Sequence, residues 1–178
     1  MRQAMNLQEP LNEWQTDEAA IRPAMIPAGV ASREQLRERS GLEFLHGIMR
    51  GELPPPPIAV LLDFLIVKVE PGLVVFQGTP GPQHYNPIGS VHGGYASTLL
   101  DSCVGCAVHS MLPAGKGYTT LELKINFVRA LTDKTGPIRA EGKVIHVGGQ
   151  VATAEGRIVD AQGKLYAHAT TTCLLFPI

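Results

Sequence analysis

Cysteine is scarce in this chain: three residues in 178, two of them three positions apart. That is too few for a disulfide framework, and a reducing, cytoplasmic setting is the expectation. Neither sign of charge is in marked excess. Fifteen Lys and Arg face sixteen Asp and Glu, for a net charge of -1, which argues against a polyanion partner and so against nucleic acid. Long apolar runs are absent. The longest, Ile58 to Val67, is interrupted by Asp63 and is far shorter than the ~20 residues a bilayer demands. The opening segment MRQAMNLQEPLNEWQ has no apolar h-region, so neither a secretory signal nor a membrane partner is expected. What is present is 44% hydrophobic residues, too many for a disordered chain and enough for one domain with a real core.

Composition shifts at Pro54-Pro55-Pro56-Pro57. Residues 1–55 are rich in charge and read as a partly helical N-terminal arm. Residues 56–178 read as the main domain. Within the arm, Ser32 with Gln35 and Ser40 with Glu43 have capping-box spacing. Leu42, Leu45, Ile48 and Met49 would then share one helical face. Residues 1–30 carry no strong period. Four consecutive prolines predict extended backbone that ends any helix.

Beyond the prolines the pattern is mostly β. Phe64–Glu70 and Leu73–Thr79 are apolar and flank the turn pair Pro71-Gly72. In Thr120–Phe127, Leu121, Leu123, Ile125 and Phe127 alternate with Thr120, Glu122, Lys124 and Asn126, which predicts a half-buried strand. Ile138–Val147, Val151–Val159 and Lys164–Phe176 follow, separated by Gly148-Gly149 and by Asp160 to Gly163. Short turns imply antiparallel neighbours. One segment breaks this rhythm. From Gly93 to Met111, residues Ala96, Leu99, Leu100, Cys103, Val104, Ala107 and Met111 form a helical stripe, and Pro113 and Gly115 end it. Its small residues would let a sheet approach. The expected fold class is α+β: an antiparallel sheet wrapped around one long central helix.

Chemistry gathers at Asn86-Pro87-Ile88-Gly89-Ser90-Val91-His92-Gly93-Gly94, where a polar, glycine-bearing loop meets a helix N-terminus. The first amides of a helix lack internal partners and sit at the positive end of the macrodipole. They can hold a carbonyl oxygen that gains negative charge, with Asn86 as a second donor. The same Gly93-Gly94 pair could equally be a flexible turn. Asp101 is a carboxylate beside an apolar stripe, which is uncomfortable unless solvated or paired. Nine residues separate His92 from Asp101, or roughly 180° and ~13 Å of helix. A single helix does not bring both to one atom, whereas a two-fold dimer can.

These residues resemble the hotdog-fold acyl-CoA thioesterases of the PaaI-like (phenylacetic acid degradation) branch. The resemblance rests on Asn86, on His92-Gly93-Gly94 six residues later, on Asp101, and on Lys124 to Arg129. It covers about Ile58 to Phe176. It implies that the Gly93 amide and Asn86 polarise a thioester carbonyl and that His92 orders the loop. It implies further that Asp101 of the partner subunit acts on water as base or attacks as nucleophile. A Ser or Thr opening the next strand would orient that water. Thr120 is the choice and Thr119 the alternative; Thr119 and Gly94 are expected at the substrate. The implied substrate is an acyl- or aryl-acyl-CoA, with coenzyme A as part of the substrate and no separate cofactor or metal. The assembly would be a homodimer at minimum and a homotetramer as a dimer of dimers. The arm would cover that assembly or shape the acyl pocket. A dehydratase or hydratase on the same fold, and a non-catalytic acyl-CoA-binding protein, are the rival readings.

Other candidates carry less. Cys103, Cys106 and His109 repeat every three residues, but paired Cys-x-x-Cys knuckles are absent and Cys103 reads as buried and apolar. Ser90 and Ser102 lack a nucleophile elbow. Arg129, Lys143 and Arg157 could meet phosphates or simply lie on a solvated strand face.

Overall fold

In the computed structural model, which describes residues 8–178, the chain opens with α1 (Gln8–Ile21), α2 (Arg33–Glu38), α3 (Gly41–Met49) and α4 (Pro57–Leu61). The strands β1 (Phe64–Glu70) and β2 (Leu73–Gly78) lead to the central helix α5 (Gly93–His109). After it come β3 (Lys116–Phe127), β4 (Ile138–Val147), β5 (Val151–Asp160) and β6 (Leu165–Pro177). Residues 1–7 of the expected arm lie outside the described residues.

The strands form one antiparallel sheet in the order β1-β2-β4-β5-β6-β3, and α5 lies across its inner face. This is the hotdog fold. Leu99, Leu100, Cys103, Val104 and Ala107 of α5 are buried in the core, as their spacing predicts. The close approach of helix and sheet is made chiefly from the sheet side. Gly142 of β4 and Gly156 of β5 are register partners. A Cβ on Gly142 would overlap the Cys103 carbonyl, and one on Gly156 would come within 2.7 Å of Val104 Cγ1. Of the helix's own small residues, Ala96, Gly105 and Ala107 are buried, and a Cβ on Gly105 would come within 2.7 Å of the Tyr118 ring of β3, while Gly94 is exposed.

Both capping boxes form. Gln35 N donates to Ser32 Oγ at 3.1 Å and Ser32 N to Gln35 Oε1 at 2.8 Å. Ser40 and Glu43 make the same exchange at 3.3 and 2.8 Å. Leu42, Leu45, Ile48 and Met49 pack on the core. The proline run does not behave uniformly. Pro54 to Pro56 are non-helical, but Pro57 opens α4 at its first position, where a missing N–H costs nothing.

Residues 8–21 form a helix despite their weak period, because a few contacts anchor it. Trp14 packs on Val159 and Ala161, and Arg139 lies over its ring at 4.5 Å. Arg139 Nη2 pairs with Asp17 at 2.6 Å. Fully buried Gln77 donates to the Trp14 carbonyl and to Glu18, and accepts from Arg139 Nε. Ile21 and Met25 then cover Leu65, Val67 and Val75. β1 and β2 are therefore covered on both faces, which accounts for their continuous apolar sequences.

β3 departs from the alternation predicted for it. It starts at Lys116, held by pairing to Pro177 of β6, and a bulge falls between Thr120 and Glu122. Leu121 is the extra residue and is 58% exposed, while Leu123 and Ile125 still pack on the core. The bulge shifts the period by one. Thr120 consequently shares the helix-facing side with Leu123 and Ile125, instead of lying opposite them.

Candidate active site

The loop before α5 is a self-bonded turn. Asn86 N donates to Ser90 O at 2.8 Å, Asn86 Oδ1 accepts from the amides of Ile88 and Ser90, and Asn86 Nδ2 donates to Ser90 Oγ at 3.0 Å. Asn86 thus brackets the loop with one side-chain N–H and keeps its second. His84 buttresses the same region: its carbonyl accepts from His92 N at 2.7 Å, and its ring stacks on Tyr95 at 4.2 Å.

His92 is the N-cap of α5, and its Nδ1 accepts from Gly94 N at 2.8 Å. The Tyr95 amide is taken by the His92 carbonyl. Among the described residues, the Gly93 amide finds no acceptor. Of the three leading amides, Gly93's alone remains for a ligand at the positive end of the helix. Gly93 lines a cleft of about 350 Å³ with Phe127, Val128 and Tyr166. A Cβ at Gly93 would meet the Phe127 ring at 3.2 Å.

The carboxylate lies elsewhere. Asp101 is exposed, and Thr120 Oγ1 donates to its Oδ1 at 2.9 Å. That contact depends on the β3 bulge, which turns Thr120 toward the helix. Thr119 is exposed, and among the described residues its hydroxyl makes no hydrogen bond. Gly93 and Asp101 are eight residues apart on α5, or ~12 Å along its axis. Within one chain these residues fall into two separate clusters: Gly93 with His92 and Asn86, and Asp101 with Thr120.

The sequence did not mark His84 or Tyr95 for this region; it named Ser90 only as part of the loop and Phe127 only as part of the β3 match. His84 stands two residues before Asn86 but belongs to no periodic element, and the Phe127 contact arises only when β3 crosses the start of α5. Cys103 is fully buried. Among the described residues, no group of three or more His, Cys, Asp or Glu is placed to hold a metal ion. Arg129 Nη1 donates to the Leu165 carbonyl at 2.6 Å, and Arg157 pairs with Glu141 at 2.6 Å. No helix among the described residues is long and apolar enough to cross a membrane.

An antiparallel sheet wrapped around one helix defines a hotdog-fold protein, here with a free amide at that helix's start and a carboxylate farther along it. Residues 88–167 match the family model described as "Thioesterase superfamily". A protein of Saccharolobus solfataricus that carries an esterase name is 35% identical over 109 residues, which is 61% of this chain and 75% of that protein. A solved Ralstonia eutropha structure, named as a thioesterase and as a phenylacetic acid degradation-related protein, is 29% identical with a TM-score of 0.67. It covers 74% of this chain and 98% of its own. The Escherichia coli PaaI protein of the phenylacetic acid degradation operon has a TM-score of 0.67 at 23% identity, over 79% of this chain and 96% of its own; that likeness shows the fold. The chain belongs to the thioesterase superfamily, whose general chemistry is thioester hydrolysis.

Proposed function

We propose that the protein is a PaaI-like thioesterase that hydrolyses acyl- or aryl-acyl-CoA to the free acid and coenzyme A, with each active site shared by two copies of the chain. One observation carries the reading. Asp101, paired with Thr120 of β3, and the free Gly93 amide sit on the same helix but ~12 Å apart, so a two-fold-related copy is needed to bring them to one carbonyl. The edge strand β3 supports this. Its outer edge is unpaired in the single chain, and Leu121, Phe127 and Val128 beside it are 58%, 57% and 47% exposed. Such an edge invites pairing with another strand. A homodimer is the minimum assembly, and a dimer of dimers the fuller one.

In this reading the thioester carbonyl oxygen lies on the Gly93 amide, with the second N–H of Asn86 beside it. His92 holds the loop through its cap on Gly94. Water hydrogen-bonded to Asp101 and Thr120 of the other copy loses a proton to the carboxylate and attacks the carbonyl carbon. The C–S bond then breaks, the thiolate of coenzyme A departs, and the proton follows it. Attack by Asp101 itself would instead form an anhydride that water opens. A single turnover in 18O-water separates the two, since only the second labels Asp101. The thioester is already activated, so the reaction needs no metal or cofactor.

The test is thiol release from short, long and aromatic acyl-CoAs by the native chain and by Asp101→Ala. The reading expects turnover that falls by about 10²–10⁴-fold in the variant. Enoyl formation without thiol release would favour a dehydratase. Saturable binding without turnover would favour an acyl-CoA-binding protein.

A further inference from the structure

Apart from the cleft at Gly93, the fold contains an apolar cavity of about 280 Å³ between the arm and the core. Its outer rim, partly open to solvent, comes from the arm and includes the exposed Val30 with Ala31, Leu36 and the prolines; its floor is Cys106, His109 and Tyr118. The rim is locked onto the helix end. Gly41 N, at the start of α3, donates to the Leu112 carbonyl at 3.0 Å, and a Cβ at Gly41 would overlap the His109 carbonyl.

The cavity adjoins the Asp101 half-site. Tyr118 precedes Thr120 by two residues on the same face of β3. Its ring lies over Gly105, where a Cβ would come within 2.7 Å, and Gly105 is one turn beyond Asp101 on α5. From Tyr118 an aromatic column continues inward: Tyr118 to His109 at 5.5 Å, then His109 to Phe44 at 5.5 Å. The Tyr118 ring, packed on buried Gly105, stands between Asp101 and this cavity, so a group attached to a carbonyl beside Asp101 and Thr120 enters it when that ring turns aside.

We propose that this cavity holds the acyl group of the thioester, an uncharged apolar chain or ring of about six to ten carbons, and that the N-terminal arm sets its length limit. The assignment rests on the thioesterase reading and adds the substrate class to it. Size supports it: the volume is roughly twice the ~150 Å³ that accommodates benzene in a dry protein cavity. Polarity supports it too. Burial lowers the His109 imidazole to about 4, raises the Cys106 thiol to about 12 and raises the Tyr118 phenol, so the floor is uncharged at neutral pH. An acyl tail ending in a carboxylate would lie there without a counter-charge. The Ralstonia eutropha structure is covered almost whole yet leaves about a quarter of this chain unmatched, a share comparable with the arm.

Two measurements on the full-length protein test this. The first is calorimetric binding of non-hydrolysable alkyl-CoA thioethers from two to sixteen carbons. Affinity should rise about fourfold per methylene and level off between eight and ten carbons. Flat affinity, or a rise that continues to sixteen, overturns the assignment. The second is the kcat/KM ratio for octanoyl-CoA over acetyl-CoA. Ala31→Phe, which fills the cavity from the arm side, should lower it at least tenfold; Leu36→Ala, which enlarges the cavity, should move the optimum to longer chains. Equal ratios in the native protein and a folded variant overturn it. If no thioester is cleaved while the thioether series shows the expected break, the hydrolase reading falls and the cavity assignment stands. Uniform turnover at every length has the opposite consequence.

Discussion

The Thr120 hydroxyl donates to Asp101 Oδ1 at 2.9 Å across the gap between β3 and α5. Strict alternation along Thr120–Phe127 would turn Thr120 away from that helix, and the bulge at Leu121 brings it round. Asp101→Ala should lower kcat by about 10²–10⁴-fold with little change in Tm, because the carboxylate is exposed. Thr120→Ala should cost about tenfold, the equivalent of one hydrogen bond, and Thr120→Ser should recover most of it. Steady-state kinetics with a melting curve for each variant check this.

Gly93→Pro tests the helix amide directly. Proline is tolerated at the first helical position. His92, at φ -60 and ψ 135, already has the extended backbone that a following proline requires. The variant should fold, bind substrate and lose about 10²–10³-fold in kcat, as expected for one missing oxyanion donor. Circular dichroism and thiol-release kinetics give the two readouts.

Mixed assemblies test the sharing of sites. Asp101→Ala and Gly93→Pro chains, each inactive alone, should on refolding together at equal amounts recover about a quarter of native activity. Half of the random dimers then contain both chains, and each mixed dimer has one intact site. Absence of recovery, with mixed dimers verified by mass spectrometry, would place both half-sites in one chain.

Gly142→Ala should destabilise the fold without touching the chemistry. The added methyl would overlap the Cys103 carbonyl, and overpacking of this kind costs about 1–3 kcal/mol. In a chain of this size, Tm should fall by about 2–10 °C.

Stability should decline as the medium is acidified. His109 is held at about 4 by burial, against ~6.5 in the unfolded chain. Between these values the unfolded state binds more protons, so stability rises with pH across about 4 to 6.5 and levels off above. The His109 contribution lost on acidification is about 3 kcal/mol. Denaturant titrations of the native protein and His109→Leu from pH 4 to 7 should show a shallower slope in the variant. His84, lowered in the same direction by burial, should leave some slope in place.

Much of the fold is legible in the sequence because its signals are local. The helical stripe from Ala96, the apolar runs of β1 and β2, and the Ser32 and Ser40 capping boxes each depend on neighbours within a few residues. Asn86, His92, Gly93 and Asp101 stand out for a similar reason, as unusual residues at fixed spacing around one helix start. The loop and the helix around them are where that spacing implies.

The remainder was decided by contacts between distant parts of the chain. Pairing of β3 with β6 creates the bulge that delivers Thr120 to Asp101, and no periodicity reports a bulge in advance. Trp14, Gln77 and Arg139 meet across more than sixty residues to fasten α1 to the sheet. The cavity beneath the arm exists only because α3 rests on the end of α5. A sequence pattern states which face of an element is apolar. Only the packed chain decides what that face meets and whether space is left between them.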